Sequence, residues 1–493
     1  MSRRPLVLTA LAAAALIVGA AAPAANASPA EPSTPVPISA PDGTIMSYVL
    51  NAKAANPGQV RLVERAVAAA GGVVVQSWPE IGVVVAHAQR SAFRADVVAA
   101  AGDALVSVGA TRTVPVTEGT PVGAQAPWGP GSSGWKADAK KKFNGDIEAP
   151  TSPAESTDAR EGDQWDMRMI NADKAHQITD GSRSVLVGIL DSGIDPVHPD
   201  LAANIDVADS VNCTDAGRPD TSASGWYPTT SDHGTHVAGT IAAARNGVGI
   251  VGVAPGVRIA SVKVVNDDGF IYPEYAICGF VWAGLKHMDV TNNSYYVDPF
   301  EYWCDDQIDQ AAAKEAVRRA VAWSTTHGVA NVAAAGNSAV DLANKTVDKG
   351  SPDDGVAVVR TINAGCEDIP AELPGVVTVS SVTSTGALSS FSNRGLGKID
   401  VAAPGSSILS TIVRNHGYGL KSGTSMASPH VTGVLALMKS VHPTWTPTQL
   451  MDKLAEQAMP HACSVTSGPI CNGTPDDNSY YGNGIVDALA AVQ

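Results

Sequence analysis

The sequence lacks several features that mark common classes of protein. It has no Cys-x-x-Cys pair and no His-Glu-x-x-His segment, which disfavours a zinc site. Beyond residue 22 it has no apolar run of about 18 residues, the length that a transmembrane helix needs. Basic residues are scarce, because 33 Lys and Arg stand against 48 Asp and Glu and give a net charge of −15. A phosphate backbone would repel such a chain, so we expect no nucleic-acid partner. The lack of a long apolar run predicts no membrane partner.

The amino terminus carries the pattern of a secretory signal peptide. Arg3 and Arg4 form a basic start, residues 6–22 are apolar, and Ala25-Asn26-Ala27 is a small-residue cleavage signal. We expect cleavage after Ala27 and a secreted, extracellular protein. The paired arginines also admit the twin-arginine route, so the export route stays open.

Six cysteines in an exported chain predict up to three disulfide bonds. They allow fifteen pairings. Cys463 and Cys471 enclose a short loop and are our preferred local pair. The remaining connectivity stays open.

The chain divides into five segments by composition and hydrophobic pattern. These are a signal peptide (1–27), a Pro- and Ser-rich linker (28–43), a small domain (44–116), a flexible Gly-, Pro- and Ser-rich linker (117–161) and a large domain (162–493). The hydrophobic pattern of the small domain predicts the order β-α-β-β-α-β, which is the ferredoxin-like α+β arrangement. Its strands are expected at 45–50, 72–76, 81–86 and 104–108, and its helices at 59–70 and 91–101.

In the large domain, apolar strands alternate with helices. Strands are expected at 185–190, 259–265, 329–335 and 376–382, and helices at 236–244, 273–286, 309–327 and 424–441. Continuous apolar strands of this kind are typical of a parallel sheet that is buried on both faces. We therefore predict an α/β domain of three layers with a mostly parallel sheet, in which functional groups gather at the carboxyl ends of the strands.

Three short segments supply the chemistry of acyl transfer. In chain order they present Asp191, His233 and Ser425, each beside small residues. A serine nucleophile, a histidine base and a carboxylate that orients the base form the required set. His236 and Asp195 compete for the last two roles, but we expect His236 to be packed and hydrogen-bonded and Asp195 to cap the next turn.

Ser425 and Asn337 are the residues expected to meet a developing oxyanion. Ser425 precedes a long apolar helix, where its own backbone N–H can receive negative charge. The alternative is an ordinary helix cap, although Gly423 and Pro429 favour the catalytic interpretation. Asn337 follows a buried strand and is either a turn residue or a second oxyanion donor.

These segments resemble the subtilisin (subtilase) family of serine endopeptidases. The resemblance runs from about Gln164 to the carboxyl terminus and extends through residues 289–294, 401–405 and 483–488. It implies a subtilisin-like fold, a catalytic triad of Asp191, His233 and Ser425, and an acyl-enzyme intermediate. Residues 44–116 resemble the inhibitor-like propeptide of that family, which implies a self-processing zymogen.

The resemblance also implies how substrate binds. Ser294, Tyr295 and Tyr296 correspond to a segment that pairs with the substrate backbone, and Gly336 is a further expected substrate-binding residue. The family usually has Ser-Leu-Gly there, and an insert at 297–307 adjoins the same wall. The side-chain preference of the primary pocket is therefore not carried over.

A structural calcium site is a further implication of the resemblance. The implied ligands are the side chains of Asp200 and Asn246, the carbonyls of Ala244, Val248 and Ile250, and Gln164 as a further ligand. An all-oxygen set suits Ca²⁺. The alternative is a set of ordinary polar loop residues.

The resulting hypothesis is a secreted, monomeric serine endopeptidase that acts on proteins or peptides. Its own propeptide would serve as an intramolecular inhibitor and chaperone. Two alternatives stay open at this point: a non-catalytic relative that binds peptides, and a dedicated leader-peptide processing protease. The maturation bond and the biological substrate are not predicted.

Overall fold

The computed structural model describes residues 31–116, 158–463 and 469–493. The predicted signal peptide (1–27) and most of the predicted flexible linker (residues 117–157) lie outside these residues. In the described residues, no helix combines the length and the apolar character needed to cross a membrane. Residues 31–43 precede the first strand, and Ser33 donates from its backbone N–H to Asp306 at 2.7 Å.

The small domain has the predicted β-α-β-β-α-β order. Its elements are β1 (Met46–Ala52), α1 (Pro57–Ala69), β2 (Val73–Trp78), β3 (Val83–Ala88), α2 (Phe93–Ala101), a 3₁₀ turn (Gly102–Ala104) and β4 (Leu105–Ala110). The strands form an antiparallel sheet in the order β2-β3-β1-β4. Helix α1 starts at Pro57 because the Asn56 side chain accepts from the backbone N–H of Gln59.

The large domain is built on an eight-stranded sheet. Its strands are β5 (Leu186–Asp191), β6 (Val211–Asp215), β7 (Arg218–Asp220), β8 (Arg258–Lys263), β9 (Val290–Asn293), β11 (Ala330–Ala334), β15 (Val376–Val382) and β16 (Val401–Pro404). Four short strands form two separate pairs, β10 (Trp303–Cys304) with β14 (Cys366–Glu367) and β12 (Val347–Asp348) with β13 (Arg360–Thr361). The order in the eight-stranded sheet is β16-β15-β11-β9-β5-β8-β6-β7. Every neighbouring pair is parallel except β6 with β7. The predicted mostly parallel sheet is confirmed.

Helices cover both faces of this sheet. They are α3 (Trp165–Met169), α4 (Ala172–Ala175), α5 (His233–Ala242), α6 (Pro273–Leu285), α7 (Ile308–Thr326), α8 (Thr424–Val441) and α9 (Pro447–Gln457). Val187 and Ile189 of β5 pack into one core with α5, α8 and α9, whereas Leu186 and Leu190 pack into another with α6 and α7. This alternation is the period of a strand, and it produces the predicted three layers.

The remaining short elements are two separate strand pairs and three 3₁₀ turns among the described residues. They are the hairpin of β17 (Ile408–Ile412) and β18 (Gly417–Lys421), the pair β19 (Gly473–Thr474) and β20 (Asp477–Asn478), and 3₁₀ turns at Glu161–Asp163, Arg414–His416 and Ala490–Val492.

Three disulfides join the six cysteines. The predicted Cys463–Cys471 bond is present, and the other two pairs are Cys213–Cys278 and Cys304–Cys366. The first of these two ties β6 to α6. The second joins β10 to β14, so it anchors the insert at 297–307.

The small domain packs with its sheet against α6 and α7. Asn51 donates from Nδ2 to the carbonyl of Ala312 at 2.8 Å, and Arg319 donates to the carbonyl of Ala52 at 2.8 Å. The Asp309 carboxylate in the first turn of α7 accepts the backbone N–H of Ala110 at 2.6 Å. A Cβ at Gly109 would lie 2.5 Å from the carbonyl oxygen of Asp309, so only glycine permits this approach.

Candidate active site

Asp191 and His233 form a buried hydrogen-bonded pair. Asp191 is the last residue of β5 and His233 is the first residue of α5. The His233 Nδ1 atom lies 2.9 Å from each carboxylate oxygen of Asp191. Each residue is 1% exposed. The carboxylate holds the proton on Nδ1, which directs the lone pair of the neutral imidazole to Nε2.

Small residues make this close pairing possible. A Cβ at Gly234 would lie 2.5 Å from the carbonyl of Gly193 and 3.1 Å from Asp191 Oδ1. Gly193 itself has a φ of +102°. Glycine therefore serves two needs here, close approach of the backbone and a left-handed turn after β5.

Ser425 lies in the first turn of α8, which packs against α5. Its hydroxyl donates to the carbonyl of Ser294 at 3.2 Å, and the Ser294 hydroxyl donates to the carbonyl of Ser425 at 2.9 Å. The second bond is possible because Pro429, four residues on, has no N–H to donate to Ser425. Pro429 thus leaves the Ser425 carbonyl available to Ser294.

Asn337 lies three residues beyond β11 and beside the start of α8. Its Oδ1 accepts from the backbone N–H of Thr424 at 2.7 Å and from the Thr424 hydroxyl at 2.9 Å. These two bonds fix the amide, and Nδ2 is 3.6 Å from the position of a Cβ built on Gly423. The amide therefore stands next to the residues that flank Ser425.

Asn393 was not predicted, although it holds the turn that carries Asn337. Its Oδ1 accepts from the backbone N–H groups of Ser338 and Val340 at 3.1 and 2.9 Å. A Cβ at Gly336, whose φ is +94°, would lie 2.4 Å from Asn393 Nδ2. No local pattern signals Asn393, since its role depends on contacts more than fifty residues away.

His236 and Asp195 stay outside the Asp191–His233 pair. His236 is fully buried and its Nε2 lies 3.1 Å from the carbonyl of Ile408. Burial lowers the pKa of His236 to about 3, so it is a very weak base. Asp195 accepts from the backbone N–H of Val197 at 3.1 Å and pairs with His416 at 2.6 Å. Both predictions about these competitors are confirmed.

The two tyrosines of the candidate substrate segment belong to the packed interior. Tyr295 donates its hydroxyl to Asn293 at 3.0 Å, and Tyr296 donates to Asp353 at 2.7 Å. They are 3% and 8% exposed. Burial raises the pKa of each phenol well above its ordinary value, so both stay neutral donors.

Carboxyl groups surround this segment, a feature not predicted from the sequence. Asp298 and Asp353 share a hydrogen bond, and burial raises the pKa of both, that of Asp353 to about 6. Glu301 accepts from the Ser338 hydroxyl at 2.7 Å. Asp368 is 2% exposed, and its Oδ1 has no hydrogen-bond partner among the described residues.

The predicted calcium ligands lie around one buried carboxylate. Asp200 Oδ2 accepts from the Ile250 N–H at 3.1 Å and from the Tyr418 hydroxyl at 2.8 Å. Its Oδ1 is buried and has no hydrogen-bond partner among the described residues. Burial raises the pKa of Asp200 to about 6. Asn246 Oδ1 accepts from Val248, and Gln164 pairs both amide atoms with the backbone of Val251.

A second buried carboxylate, Asp158, adjoins this site. Asp158 falls in the segment predicted to be a flexible linker (117–161), but it is 4% exposed and anchored. Its Oδ1 accepts the N–H groups of Asn246, Gly247 and Val248 at 3.0, 2.9 and 3.1 Å. Its Oδ2 is buried without a hydrogen-bond partner among the described residues, and the Arg245 guanidinium pairs with it at 4.0 Å. The Asp200 oxygen that lacks a hydrogen bond, with the Asp158 carboxylate beside it, offers the oxygen ligands that a hard cation prefers.

Comparison with known proteins decides the family. The model of the peptidase S8 subtilase family matches residues 182–484. The chain belongs to the subtilase family. It is 34% identical over 329 residues to subtilisin from Bacillus pumilus, covering 67% of this chain and 98% of that protein. It is also 34% identical over 330 residues to subtilisin E from Bacillus subtilis strain 168, covering 67% and 71% respectively.

Solved structures confirm the subtilisin-like fold of this subtilase. The epidermin leader peptide processing serine protease of Staphylococcus aureus matches with a TM-score of 0.64 and 22% identity, over 91% of this chain and 98% of that chain. Fervidolysin from Fervidobacterium pennivorans, a keratinolytic enzyme related to subtilisin, matches with a TM-score of 0.63 and 23% identity. That match covers 91% of this chain but only 61% of fervidolysin. The subtilase is a serine endopeptidase, which disfavours the alternative of a non-catalytic peptide binder.

Proposed function

We propose that this subtilase is a secreted endopeptidase that cleaves peptide bonds through Asp191, His233 and Ser425. The observation that carries the proposal is the buried bond between the Asp191 carboxylate and His233 Nδ1 at 2.9 Å. A carboxylate in this position orients the ring and stabilises the imidazolium that forms when His233 takes a proton.

Acylation starts from the Ser425 hydroxyl. The Oγ atom leaves its hydrogen bond to the Ser294 carbonyl by rotation about χ1 and turns to His233 Nε2. It attacks the scissile carbonyl carbon while Nε2 takes its proton, and the carbonyl π electrons move to the oxygen. The tetrahedral intermediate then collapses, the C–N bond breaks, and the leaving amine takes the proton from Nε2. A water molecule repeats the sequence and releases the acid from the acyl-enzyme.

Two N–H groups would receive the oxyanion. The first is the backbone N–H of Ser425, at the positive end of α8. The second is Asn337 Nδ2, whose direction is set because Oδ1 is held by Thr424. Donors that are fixed before the reaction need no reorganisation when charge develops.

Substrate would bind in extended form along Ser294, Tyr295 and Tyr296, opposite Gly336. The Ser294 side chain is engaged with the Ser425 carbonyl, and both tyrosine rings are tied into the interior. The backbone of this segment is thereby held rigidly enough to pair with a substrate strand.

The small domain would act as the propeptide, an intramolecular inhibitor and chaperone. Its sheet packs against α6 and α7, and it forms hydrogen bonds with Ala312 and Arg319 of α7. These contacts would stabilise α7 while the large domain folds. We place the cleaved bond before Asp158, because Asp158 is anchored in the loop at 246–248. We further propose that the mature enzyme is a monomer.

Calcium would bind between Asp200 and the loop at 244–250. The ligands are the predicted ones, with the Asp158 carboxylate added, and Gln164 supports the loop through Val251. When bound, the ion would supply structural stabilisation by neutralising the buried Asp200 carboxylate. It takes no part in the bond cleavage.

A serine-directed fluorophosphonate tests the proposed nucleophile. The matured wild-type protein should be labelled, and the Ser425→Ala protein should not. Labelling of Ser425→Ala at the wild-type rate would overturn the assignment. Cleavage of a diverse peptide library then separates a general endopeptidase from a leader-peptide specialist, since the specialist would cleave only a single sequence motif.

A further inference from the structure

The chain before β1 forms an extended arm, residues 32–40, that contacts both domains. It lies in the segment predicted as a linker (28–43), and its anchor is Ser33, which is 2% exposed. The backbone N–H and the hydroxyl of Ser33 donate to the two carboxylate oxygens of Asp306, at 2.7 and 2.6 Å. Hydrogen bonds to an ionised acceptor are the strong ones, and two of them on one carboxylate also fix the orientation of the arm.

Two neighbouring residues of the large domain complete the contact. Gln307 donates from Nε2 to the Ser33 hydroxyl oxygen at 2.9 Å. Thr34 donates its backbone N–H to the carbonyl of Thr361 at 2.8 Å, and its hydroxyl accepts the backbone N–H of Thr361 at 2.9 Å. Thr361 belongs to β13, so the arm lies along the edge of a strand, which is a common mode of peptide recognition. We call Asp306, Gln307 and Thr361 the arm site.

The large domain itself holds the arm site in place. Asp306 lies two residues beyond Cys304, and the disulfide from Cys304 to Cys366 fixes that end of the insert. Asn363 donates from Nδ2 to Asp306 Oδ2 at 2.9 Å. Burial would raise the pKa of Asp306, but the hydrogen bonds from Ser33 and Asn363 keep it below its ordinary value. The arm therefore meets an ionised carboxylate whose position is already set.

The rest of the arm runs from the large domain to the small one. Val36 packs into the core that contains α6 and α7, whereas Ile38 and Ala40 pack against the core of the small domain. The residues between them, Pro37 and Ser39, are exposed, which is the alternation of an extended chain. The arm thus gives the small domain a second attachment to the large domain, besides the contact of its sheet with α6 and α7.

We infer that the arm site is a docking site for the arm of the propeptide and slows the release of the small domain once the chain is cut. After the cut, the arm and the small domain stay covalently joined. Each contact therefore holds the other near its site, and both must open before the fragment leaves. The inference rests on the proposed function in one respect: if the small domain inhibits the enzyme, slow release delays the onset of activity.

The release of the small domain is measured without catalysis. The full chain carries Ser425→Ala and an added cleavage site for an unrelated protease between residues 117 and 157. After cleavage and dilution, size-exclusion chromatography at successive times gives the dissociation rate of the fragment. Ser33→Pro removes both donors to Asp306, so we expect release to be at least about tenfold faster. Ser39→Pro, at an exposed position of the same arm, should stay within about twofold of the parent chain.

A change on the other side of the contact locates the effect at the arm site. Asp306→Ala should also accelerate release at least about tenfold. Combined with Ser33→Pro it should add less than about twofold, because both changes remove the same contact. The exposed Asp476→Ala should have no effect. Equal release from Ser33→Pro and Ser39→Pro would overturn the inference, and if Ser33→Pro does not fold, equal release from Asp306→Ala and Asp476→Ala would do so.

The active chain separates this inference from the proposed function. Position 33 belongs to the propeptide, so the wild-type and Ser33→Pro chains mature to the same enzyme with the same kcat/KM. We expect activity to appear earlier after the cut in Ser33→Pro. Faster release without earlier activity would overturn the inhibitory role of the small domain and leave the arm site intact. An active chain that never cleaves peptides would overturn the proposed function, and the release rates alone would then decide the arm site.

Discussion

Pro429 changes which backbone groups are free to accept hydrogen bonds in the first turn of α8. Without its N–H, the helix cannot use the Ser425 carbonyl, and the Ser294 hydroxyl takes that carbonyl at 2.9 Å. The bond joins the nucleophile to the candidate substrate segment. Helix start and substrate wall are therefore positioned by the same contact.

Asn337 is the residue whose two side-chain atoms have separable roles. In Asn337→Asp, one carboxylate oxygen still accepts from Thr424, but the donor Nδ2 is replaced by an anion. We expect kcat/KM to fall by about 10²- to 10³-fold, the loss that removal of one oxyanion donor causes in subtilisin. Peptide hydrolysis and the melting temperature should be measured together.

The exposed Asn472→Asp is the matched control and should keep full activity. The melting temperature of Asn337→Asp should stay within about 2 °C of wild type, because its bond to Thr424 is retained. An Asn337→Asp enzyme with wild-type kcat/KM would show that another group receives the oxyanion.

Local motifs were sufficient to predict the Asp191–His233 pair, because glycine and small residues flank each member. They were not sufficient for Asn393, Asp368 or Asp158. The role of each residue depends on burial and on groups distant in the chain, so the local spacing of residues does not predict it. A buried carboxylate carries no local signature that distinguishes it from a solvated one.

At the scale of elements, long apolar segments were predictable and short ones were not. The strand at Val376–Val382 has the predicted bounds, since it is buried throughout and its neighbours supply the hydrogen bonds. Helix α5 starts at His233, three residues before its predicted start at His236. The hairpin of β17 and β18 was missed because Gly417 and Gly419 interrupt its apolar alternation.

Calcium binding at the loop 244–250 should depend on pH, because it needs the ionised Asp200 carboxylate. Burial raises the pKa of Asp200 from 3.8 to about 6, so the native state without calcium binds a proton more tightly than the unfolded chain does. The Asp200 contribution to the stability of the calcium-free protein is therefore present below pH 4 and is lost as the pH rises through 6. Calcium needs the ionised carboxylate, so its stabilising effect should grow over the same interval.

We expect the melting temperature in calcium to exceed that in EDTA, by a margin that increases from pH 4.5 to pH 7. At pH 7 the gain should be about 2–4 kcal/mol of unfolding free energy at saturating calcium. Asp200→Asn should abolish the margin, whereas the exposed Asp476→Asn should keep it. Identical melting temperatures in calcium and EDTA across this range would remove the site.

At the scale of the whole molecule, the disulfides constrain loops of very different length. Cys213–Cys278 spans 65 residues and Cys463–Cys471 spans 8. Loop entropy alone predicts losses of about 4 and about 2.5 kcal/mol when each pair is replaced by alanines. Denaturant unfolding of the inactive Ser425→Ala protein, where self-digestion is absent, measures both. A larger loss for the short loop would show that contacts rather than chain entropy dominate.

The small domain and the large domain share one apolar core, since Val49, Trp78 and Val85 pack with residues of α6 and α7. A covalently attached domain held in this way leaves only after its bond to the rest is cut.

If the enzyme makes that cut itself, Ser425→Ala and His233→Ala should each stay uncleaved between the small domain and Asp158. Ser440→Ala, on the same helix but hydrogen-bonded to Ala436, should be processed normally. Intact mass and amino-terminal sequence of the purified proteins measure this, and a purified Ser425→Ala protein of mature length would contradict self-processing.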